Sequence, residues 1–248
     1  MCGRYAASRD KAALIEEFEV ERSTERELPT DYNVAPTKDV YIVADRTPAD
    51  EDKPTRELAI ARWGLVPSWA KDVAIGSRMI NARAETLTEK PSYRRAVSRR
   101  RCLVPADGYY EWYSPTEPDA PVGKSGKPRK QPYYIHPADG GVLAMAGLYE
   151  FWRNPELPDD DPTAWLRTTT IITTAATDEL GRIHDRMPLM VPAAAWNDWL
   201  NPDMTDGGEA VASLGEVPLG RLRSDAVSTA VNSVRNTGPE LTEPIPAE

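Results

Sequence analysis

The chain has 248 residues, a formal net charge of −9, 40% hydrophobic residues and 28% charged residues. This balance is typical of a folded globular protein of one large domain or two small ones, and it excludes an intrinsically disordered chain. No apolar run reaches the roughly 18–20 residues of a membrane-spanning helix. No apolar signal segment follows Met1, so we expect a cytoplasmic protein without membrane contact.

Cysteine and histidine are scarce in this sequence. The two cysteines are Cys2 and Cys102, and the two histidines are His136 and His184. These are too few for a disulfide framework and leave little for a zinc site of cysteine and histidine ligands. We therefore expect no metal and no cofactor.

In chain order, the first half of the sequence alternates short helical and strand patterns before a turn cluster. The predicted elements are a helix at Lys11–Phe18 capped by Ser8, an irregular loop at Tyr32–Thr37, strands at Val40–Val43 and Leu58–Trp63, a basic helix at Ser92–Arg100, and two strands within Cys102–Trp112 around the turn at 105–108.

The second half is predicted to be mostly strands, with a mobile hairpin loop at Ser114–Lys130. The other elements are strands at Tyr133–His136, Val142–Trp152, Arg167–Ala175 and Ser228–Val234, an exposed insertion at Asn154–Thr163, and a helix at Ala193–Leu200 after Pro192. Strands and helices interleave without a regular βαβ rhythm. The sequence therefore predicts an α+β fold with a curved, mostly antiparallel sheet or barrel-like core, in one domain at 1–238 with a polar C-terminal tail at 239–248.

The negative net charge argues against nucleic acid as a partner, but the charge is unevenly distributed. The segment from Arg78 to Arg101 contains eight basic and two acidic residues, a local charge of +6, which leaves −15 on the rest of the chain. Composition alone favours a solvated helix face over a phosphate-binding patch. Trp63 and Trp69, near this segment, suit either base stacking or, more commonly, a core.

Cys2 has a distinctive chemical potential because it follows the initiator methionine. Removal of Met1 would expose an α-amine, with a pKa of about 7.7–8.0, next to a thiol with a pKa of about 8.5. A 1,2-aminothiol condenses with an aldehyde to an imine, and the thiol then closes a thiazolidine ring. The same pair could act as an N-terminal nucleophile in amide hydrolysis. Taken alone, the position fits a buried cysteine without a chemical role better.

Four other polar positions have both a chemical and a structural interpretation. Glu111 lies among aromatic residues, where poor solvation would suit it to proton transfer unless strand alternation points it to water. His184 is suited to general acid–base catalysis or to capping a loop, and neither interpretation prevails. Asn81 and Arg83 share a face if their segment is extended, which suits sugar, base and phosphate contacts or an ordinary surface pair.

Six motifs stand in a fixed order along nearly the whole chain. They are MCGRY at 1–5, YNVAPT at 32–37, WGLVPSW at 63–69, NARAET at 81–86, RCLVPADGYYEW at 101–112 and HDRMP at 184–188. Each motif alone is weak, but their ordered combination is specific. With these motifs the sequence resembles the SRAP family, the SOS response-associated peptidases or abasic site processing proteins. It departs from some relatives at Ala70, where they carry a second tryptophan.

The resemblance implies one α+β domain with a curved β core and a positive groove for single-stranded DNA. It implies a nucleophile at Cys2 with catalytic partners at Asn81, Glu111 and His184. It also implies phosphate or base contacts from Arg4, Trp69, Arg83, Thr173 and Arg186.

The function implied by the resemblance is the capture of abasic sites in single-stranded DNA through a thiazolidine crosslink at Cys2 after loss of Met1. An imine at C1′ of the deoxyribose also permits strand cleavage by β-elimination, so lyase activity is a mechanistic neighbour. We expect a monomer whose partner is single-stranded DNA containing abasic sites. Two alternatives stay open: an N-terminal-nucleophile peptidase, with its own Met1 as the minimal substrate, and a non-catalytic single-strand binder.

Overall fold

The backbone builds two β-sheets that are covered by short helices. The computed structural model describes residues 2–48, 51–115, 122, 126, 128–176, 178–214 and 222–246. The strands of these residues are β1 (Arg4–Ala7), β2 (Arg22–Ser23), β3 (Asp31–Val34), β4 (Asp39–Arg46), β5 (Thr55–Trp63), β6 (Asn81–Arg83), β7 (Arg101–Ala106), β8 (Gly108–Tyr113), β9 (Gln131–Pro137), β10 (Leu143–Arg153), β11 (Trp165–Ala175), β12 (Arg186–Pro188) and β13 (Leu222–Ala226).

The helices of the described residues are all short. The α-helices are α1 (Lys11–Glu17), α2 (Arg94–Arg99), α3 (Asp178–Ile183), α4 (Trp196–Leu200) and α5 (Gly207–Ala212), and the 3₁₀ helices are Val73–Arg78, Ala84–Thr86, Pro162–Ala164, Ala193–Ala195, Thr229–Asn232 and Pro239–Thr242. In the part of the chain that the structure describes, no helix is long and apolar enough to cross a membrane.

The larger sheet closes into a five-stranded barrel. Strands β5, β4, β7, β10 and β11 pair antiparallel in that order, and β11 returns to pair in parallel with β5 at Arg62 and Trp63. Strands β2, β6 and β12 extend the sheet at its margins. The predicted α+β class with a curved, mostly antiparallel barrel-like core in one domain is confirmed.

Side chains of the barrel strands alternate between two apolar clusters because successive residues of a strand point to opposite faces. In β4, Ile42 and Ala44 pack in the cluster that also contains Cys2. Tyr41 and Val43 pack in the other cluster, together with residues of α1, α2, α4 and α5. The barrel is therefore apolar on both faces.

The second sheet has the order β13, β9, β8, β1, β3 and is antiparallel throughout. The chain enters it from the barrel through a tight turn between β7 and β8, as the sequence predicts. Gly108 occupies this turn because an added Cβ would lie 2.6 Å from the Tyr134 ring and 2.7 Å from the Ile135 carbonyl oxygen. The turn thus places β8, with Glu111, beside β1 at the start of the chain.

Local predictions failed where long-range pairing decides the structure. Helix α1 is capped by Asp10, whose carboxylate accepts a 2.8 Å hydrogen bond from the Ala13 amide, and the predicted cap Ser8 is wrong. Residues 32–34 of the predicted irregular loop belong to β3 because this segment pairs with β1.

One prediction near the C-terminus also fails. The strand predicted at Ser228–Val234 is wrong: this segment contains a 3₁₀ helix, and the strand β13 lies just before it, paired with β9. Residues of the predicted polar tail fold back onto the domain, since Leu241 is completely buried and Pro244 forms a β-bridge with Val227.

The predicted exposed insertion at 154–163 is confirmed as a run of turns at the surface. Most of the hairpin loop predicted at 114–130 lies outside the described residues.

Candidate active site

Cys2 lies completely buried just before β1, in the apolar cluster that includes Tyr5 and Tyr109. Its Sγ is 3.7 Å from the Arg4 carbonyl oxygen. Burial raises the pKa of the Cys2 thiol far above its ordinary value, and the nearby negative charge of Glu111 raises it further. The resting sulfur is therefore a neutral thiol.

Asn81 is held against Cys2 by the pairing of β6 with β11. Its Nδ2 donates a 2.8 Å hydrogen bond to the Cys2 carbonyl oxygen, and its own carbonyl oxygen accepts one of 3.3 Å from the Tyr93 hydroxyl. The side-chain Oδ1 is buried and has no hydrogen-bond partner among the described residues. Asn81 thus holds the main chain of Cys2. Its Oδ1 is an unused acceptor that could bind an N–H group.

Glu111 is a buried carboxyl on β8, with 3% of its surface exposed. Burial raises the pKa of Glu111, and the positive charge of a protonated His184 opposes part of that rise. A carboxyl in this environment holds its proton to higher pH than an exposed one. It is therefore suited to donate a proton and to take one back, as the sequence predicts for general acid–base work.

His184 follows α3, which packs against β8. Its Nδ1 lies 2.9 Å from both the Arg186 amide nitrogen and an oxygen of the Asp185 carboxylate. A neutral ring cannot accept from one and donate to the other at the same nitrogen. The hydrogen bond from the Arg186 amide determines the tautomer of the neutral ring, because the Asp185 side chain is 86% exposed and competes with water for its partners. The proton of the neutral ring is therefore on Nε2.

Arg186 forms a second set of polar contacts, with Thr173 and Glu85. Its Nη2 donates to the carbonyl oxygen of the buried Thr173 at 2.6 Å, and both terminal nitrogens bind the Glu85 carboxylate. Arg83 lies at the exposed end of β6, opposite Thr173 in the parallel pairing with β11. Because β6 is extended, Asn81 and Arg83 share a face, as predicted.

Arg4 is fixed by a residue to which the sequence assigns no role. Its Nη1 donates to Asn33 Oδ1 at 2.8 Å and to the Val231 carbonyl oxygen at 3.0 Å, and its guanidinium lies 6.0 Å from the centre of the Trp112 ring. Asn33 is completely buried, and its Nδ2 donates to the carbonyl oxygens of Val231, Ser233 and Asn236. The only sequence signal for Asn33 is its place in the YNVAPT motif.

The two tryptophans near the basic segment have different environments. Trp69 is 62% exposed and available for stacking, although no contact joins it to Cys2 in the described part of the chain. Trp63 is completely buried, packs edge-on against Tyr5 at 5.2 Å and donates to the Ile80 carbonyl oxygen. Trp63 is therefore a core residue and cannot supply a stacking surface.

The basic segment from Arg78 to Arg101 exposes fewer positive charges than its sequence contains. Arg101 is 4% exposed and donates to the carbonyl oxygens of Val97, Trp199 and Asn201, so it ties α2 to α4. Arg100 pairs with the buried Glu150. These two cations stabilise the fold, which leaves the exposed ones to contribute to any binding surface. The exposed set is Arg78, Arg83, Lys90, Arg94, Arg95 and Arg99.

Taken together, the fold and the site define a class: an α+β barrel protein with a buried cysteine at its N-terminus, flanked by an asparagine, a carboxyl and an imidazole. Comparisons with known proteins agree. The family model of the SOS response associated peptidase (SRAP) matches residues 1–234. The chain therefore belongs to the SRAP family.

Curated relatives cover the chain almost end to end. It is 38% identical to the abasic site processing protein YoqW of Bacillus subtilis, over 98% of this chain and 99% of that protein. It is 32% identical to the abasic site processing protein YedK of Escherichia coli, over 99% of this chain and 100% of that protein. It is also 32% identical to the abasic site processing protein HMCES of Gallus gallus, over 99% of this chain and 78% of that protein.

Solved structures share the fold. A crystal structure of a protein from Bacteroides thetaiotaomicron superimposes with a TM-score of 0.77 at 24% identity, and it covers 98% of this chain and all of that chain. A protein from Bordetella bronchiseptica superimposes with a TM-score of 0.68 at 27% identity, over 92% of this chain and all of that chain.

Proposed function

We propose that this protein processes abasic sites in single-stranded DNA by forming a thiazolidine crosslink through Cys2 once Met1 has been removed. The observation that carries the proposal is the meeting of Cys2, Asn81, Glu111 and His184, which come from distant parts of the chain. The names of the curated relatives support the lesion as substrate.

The chemistry needs only the two groups of the N-terminal cysteine and an aldehyde. The α-amine of Cys2 adds to C1′ of the open-chain deoxyribose, and the carbinolamine loses water to give an imine. The thiol then adds across the C=N bond, so that sulfur bonds to C1′ and the thiol proton ends on nitrogen. An aldehyde and an aminothiol become a thiazolidine and one water, and no oxidant or cofactor is consumed.

The neighbouring residues supply proton transfer and position. Glu111 and His184 move protons during opening of the sugar ring and loss of water, for which the raised pKa of the buried carboxyl is well suited. Asn81 holds the Cys2 main chain, and its unpartnered Oδ1 accepts a hydrogen bond from the new amine. Closing the thiazolidine competes with β-elimination at the imine, which would otherwise cut the strand.

Binding of the DNA strand falls to the polar residues around this site. In this proposal Arg83 and Arg186 contact phosphates, Arg4 and Thr173 add further contacts to phosphate or base, and the exposed Trp69 offers a stacking face. The negative charge of the remaining surface confines contact to one groove. We propose that the protein acts as a monomer.

The test is a denaturing gel with a single-stranded oligonucleotide that carries one abasic site. The wild type is expected to give a slowly migrating covalent band and Cys2→Ala none. Cys102→Ala is the matched control, because it removes the other buried cysteine and should leave the band intact. Absence of the band in the wild type, or its persistence in Cys2→Ala, would refute the proposal. A simple binder would instead lose the DNA at high salt.

The word peptidase in the family description supports a second proposed activity, which for this chain would be removal of its own Met1. Intact mass of protein made in a host without methionine aminopeptidase tests it. Loss of Met1 in that host indicates self-processing, whereas retention assigns the step to the host enzyme.

A further inference from the structure

The hydroxyl of Tyr109 is a buried polar group that no contact explains. Tyr109 lies on β8 with 1% of its surface exposed, and its Oη has no hydrogen-bond partner among the described residues. Burying a hydroxyl without a partner costs free energy, so folded proteins keep few such groups and often keep them for chemistry. A phenylalanine would fill the same space, so the hydroxyl oxygen itself needs a functional explanation.

Three other buried aromatic residues, Tyr110, Trp63 and Trp199, have hydrogen-bond partners. The Tyr110 hydroxyl, next in sequence on the opposite face of β8, donates to the Tyr32 carbonyl oxygen at 2.7 Å. The ring nitrogens of Trp63 and Trp199 donate to carbonyl oxygens at 2.9 Å. A buried tyrosine or tryptophan ordinarily finds such a partner. Tyr109 therefore differs from these three residues.

Tyr109 stands among the groups of the candidate active site. It precedes Glu111 by two residues on β8, so both side chains leave the strand on one face. It pairs with Tyr5 of β1, the residue after Arg4, and packs in the cluster that contains Cys2. Burial and the charges of Cys2 and Glu111 raise the pKa of Tyr109 well above its ordinary value. Its oxygen thus keeps its proton and stays a hydrogen-bond donor within the cluster that contains Cys2.

We propose that the Tyr109 hydroxyl donates a hydrogen bond to the Cys2 thiolate during closure of the thiazolidine ring. The inference rests on the proposed function and adds one catalytic residue to it. In this step the thiol proton passes to the Glu111 carboxylate, which has already given its own proton to the imine nitrogen. The sulfur lone pair forms the bond to C1′, and the π electrons of the iminium move to nitrogen. Tyr109 keeps its proton throughout.

The need for such a donor follows from the burial of Cys2. A sulfur without exposed surface loses the water that would solvate its anion, which makes the thiolate costly. A hydrogen bond to the charged form is stronger than one between neutral groups, so it stabilises the thiolate more than the resting thiol. In the resting protein the Tyr109 hydroxyl is buried without a partner at a cost in free energy. The hydrogen bond to the thiolate offsets that cost.

The experiment compares Tyr109→Phe with the matched control Tyr110→Phe, each of which removes one oxygen from β8. For Tyr109→Phe we expect thiazolidine closure about tenfold to a hundredfold slower at neutral pH, with the half-maximal rate displaced to higher pH. Imine formation, measured as product trapped by borohydride, and affinity for an intact oligonucleotide should keep their wild-type values. The melting temperature should be unchanged or raised by about 2–4 °C.

The control should behave in the opposite way. Tyr110→Phe leaves the Tyr32 carbonyl oxygen without its donor, so it should lower the melting temperature and keep the wild-type rate and pH profile. A Tyr109→Phe protein that crosslinks like the wild type overturns the inference and leaves the proposed function intact. A Tyr109→Phe protein destabilised like the control overturns it as well, because its hydroxyl would then have a structural partner. A wild type without a covalent band removes the proposed function and this role together.

Discussion

The Glu85 carboxylate binds both terminal nitrogens of the Arg186 guanidinium: Oε1 accepts a hydrogen bond from Nη1 at 2.6 Å, and Oε2 accepts one from Nη2 at 3.0 Å. Nη2 is also shared with the Thr173 carbonyl oxygen, and Nε is buried without a partner in the described part of the chain. The hydrogen bonds from Arg186 lower the pKa of Glu85, which keeps this carboxylate ionised at neutral pH. A DNA phosphate that reaches Arg186 must therefore compete with Glu85.

Removing this competitor should strengthen DNA binding. For Glu85→Gln we expect severalfold tighter binding of an intact single-stranded oligonucleotide at low salt and a plot of log affinity against log salt that is steeper by about one unit. Fluorescence anisotropy over a salt series measures both. The exposed Glu89, in the same basic segment, gives the control Glu89→Gln with the same change of charge. Equal effects of the two variants would mean general electrostatics, and weaker binding by Glu85→Gln would mean that Glu85 orients Arg186.

Loss of the Asn81 amide should affect chemistry more than binding. Asn81→Ala removes the 2.8 Å hydrogen bond to the Cys2 carbonyl oxygen and the spare acceptor beside it. We expect crosslinking to slow by more than tenfold, affinity for DNA to stay within about twofold and stability to fall by about 1 kcal/mol. Asn197→Ala, which breaks a 2.7 Å bond from Arg56, is the control and should lower stability alone. Equal loss of rate and binding in Asn81→Ala would contradict this role.

Asn33 should be a major determinant of stability near the C-terminus. Asn33→Ala deletes four hydrogen bonds, one from Arg4 and three to main-chain carbonyl oxygens between 231 and 236, in a completely buried position. We expect a loss of about 3 kcal/mol, or roughly 6–12 °C in melting temperature. Trypsin should then cut after the exposed Arg235 far faster than in the wild type. Unchanged cleavage at Arg235 would show that other contacts hold this segment.

Glu111 should make stability depend on pH. A carboxyl whose pKa is raised by folding stabilises the fold below its ordinary pKa, and that contribution is lost as the pH rises through its folded pKa. Glu111→Gln removes this titration, so its melting temperature should exceed that of the wild type increasingly from acidic to neutral pH, by about 2–4 °C for each 1 kcal/mol. The variant should also crosslink more slowly by a larger factor than it loses DNA affinity. A difference in melting temperature that stays constant across this pH range would contradict the raised pKa of Glu111.

Predictions succeeded where local pattern and local packing agree. The strand at 58–63 and the two strands around the turn at 105–108 follow from alternation and turn residues, which act over a few positions. Prediction failed at 32–34, part of a predicted loop that becomes a strand because β1 lies beside it. It also failed for Arg101, since arginine is usual at a surface, and only the carbonyl oxygens that surround its guanidinium show that it is buried. Trp63 lies in the core, the more common of the two fates that the sequence allows for it.

The sequence by itself determined the chemical groups of this protein: a potential aminothiol at Cys2, a carboxyl at Glu111 among aromatics, and the alternating strands of a β core. Only the tertiary structure decided which groups meet. Asn81 reaches Cys2 across 79 positions and Asn33 reaches Val231 across 198. Contacts at such separations depend on strand pairing and burial, which fix solvation and therefore pKa, whereas periodicity along the chain reports only the nearest few residues.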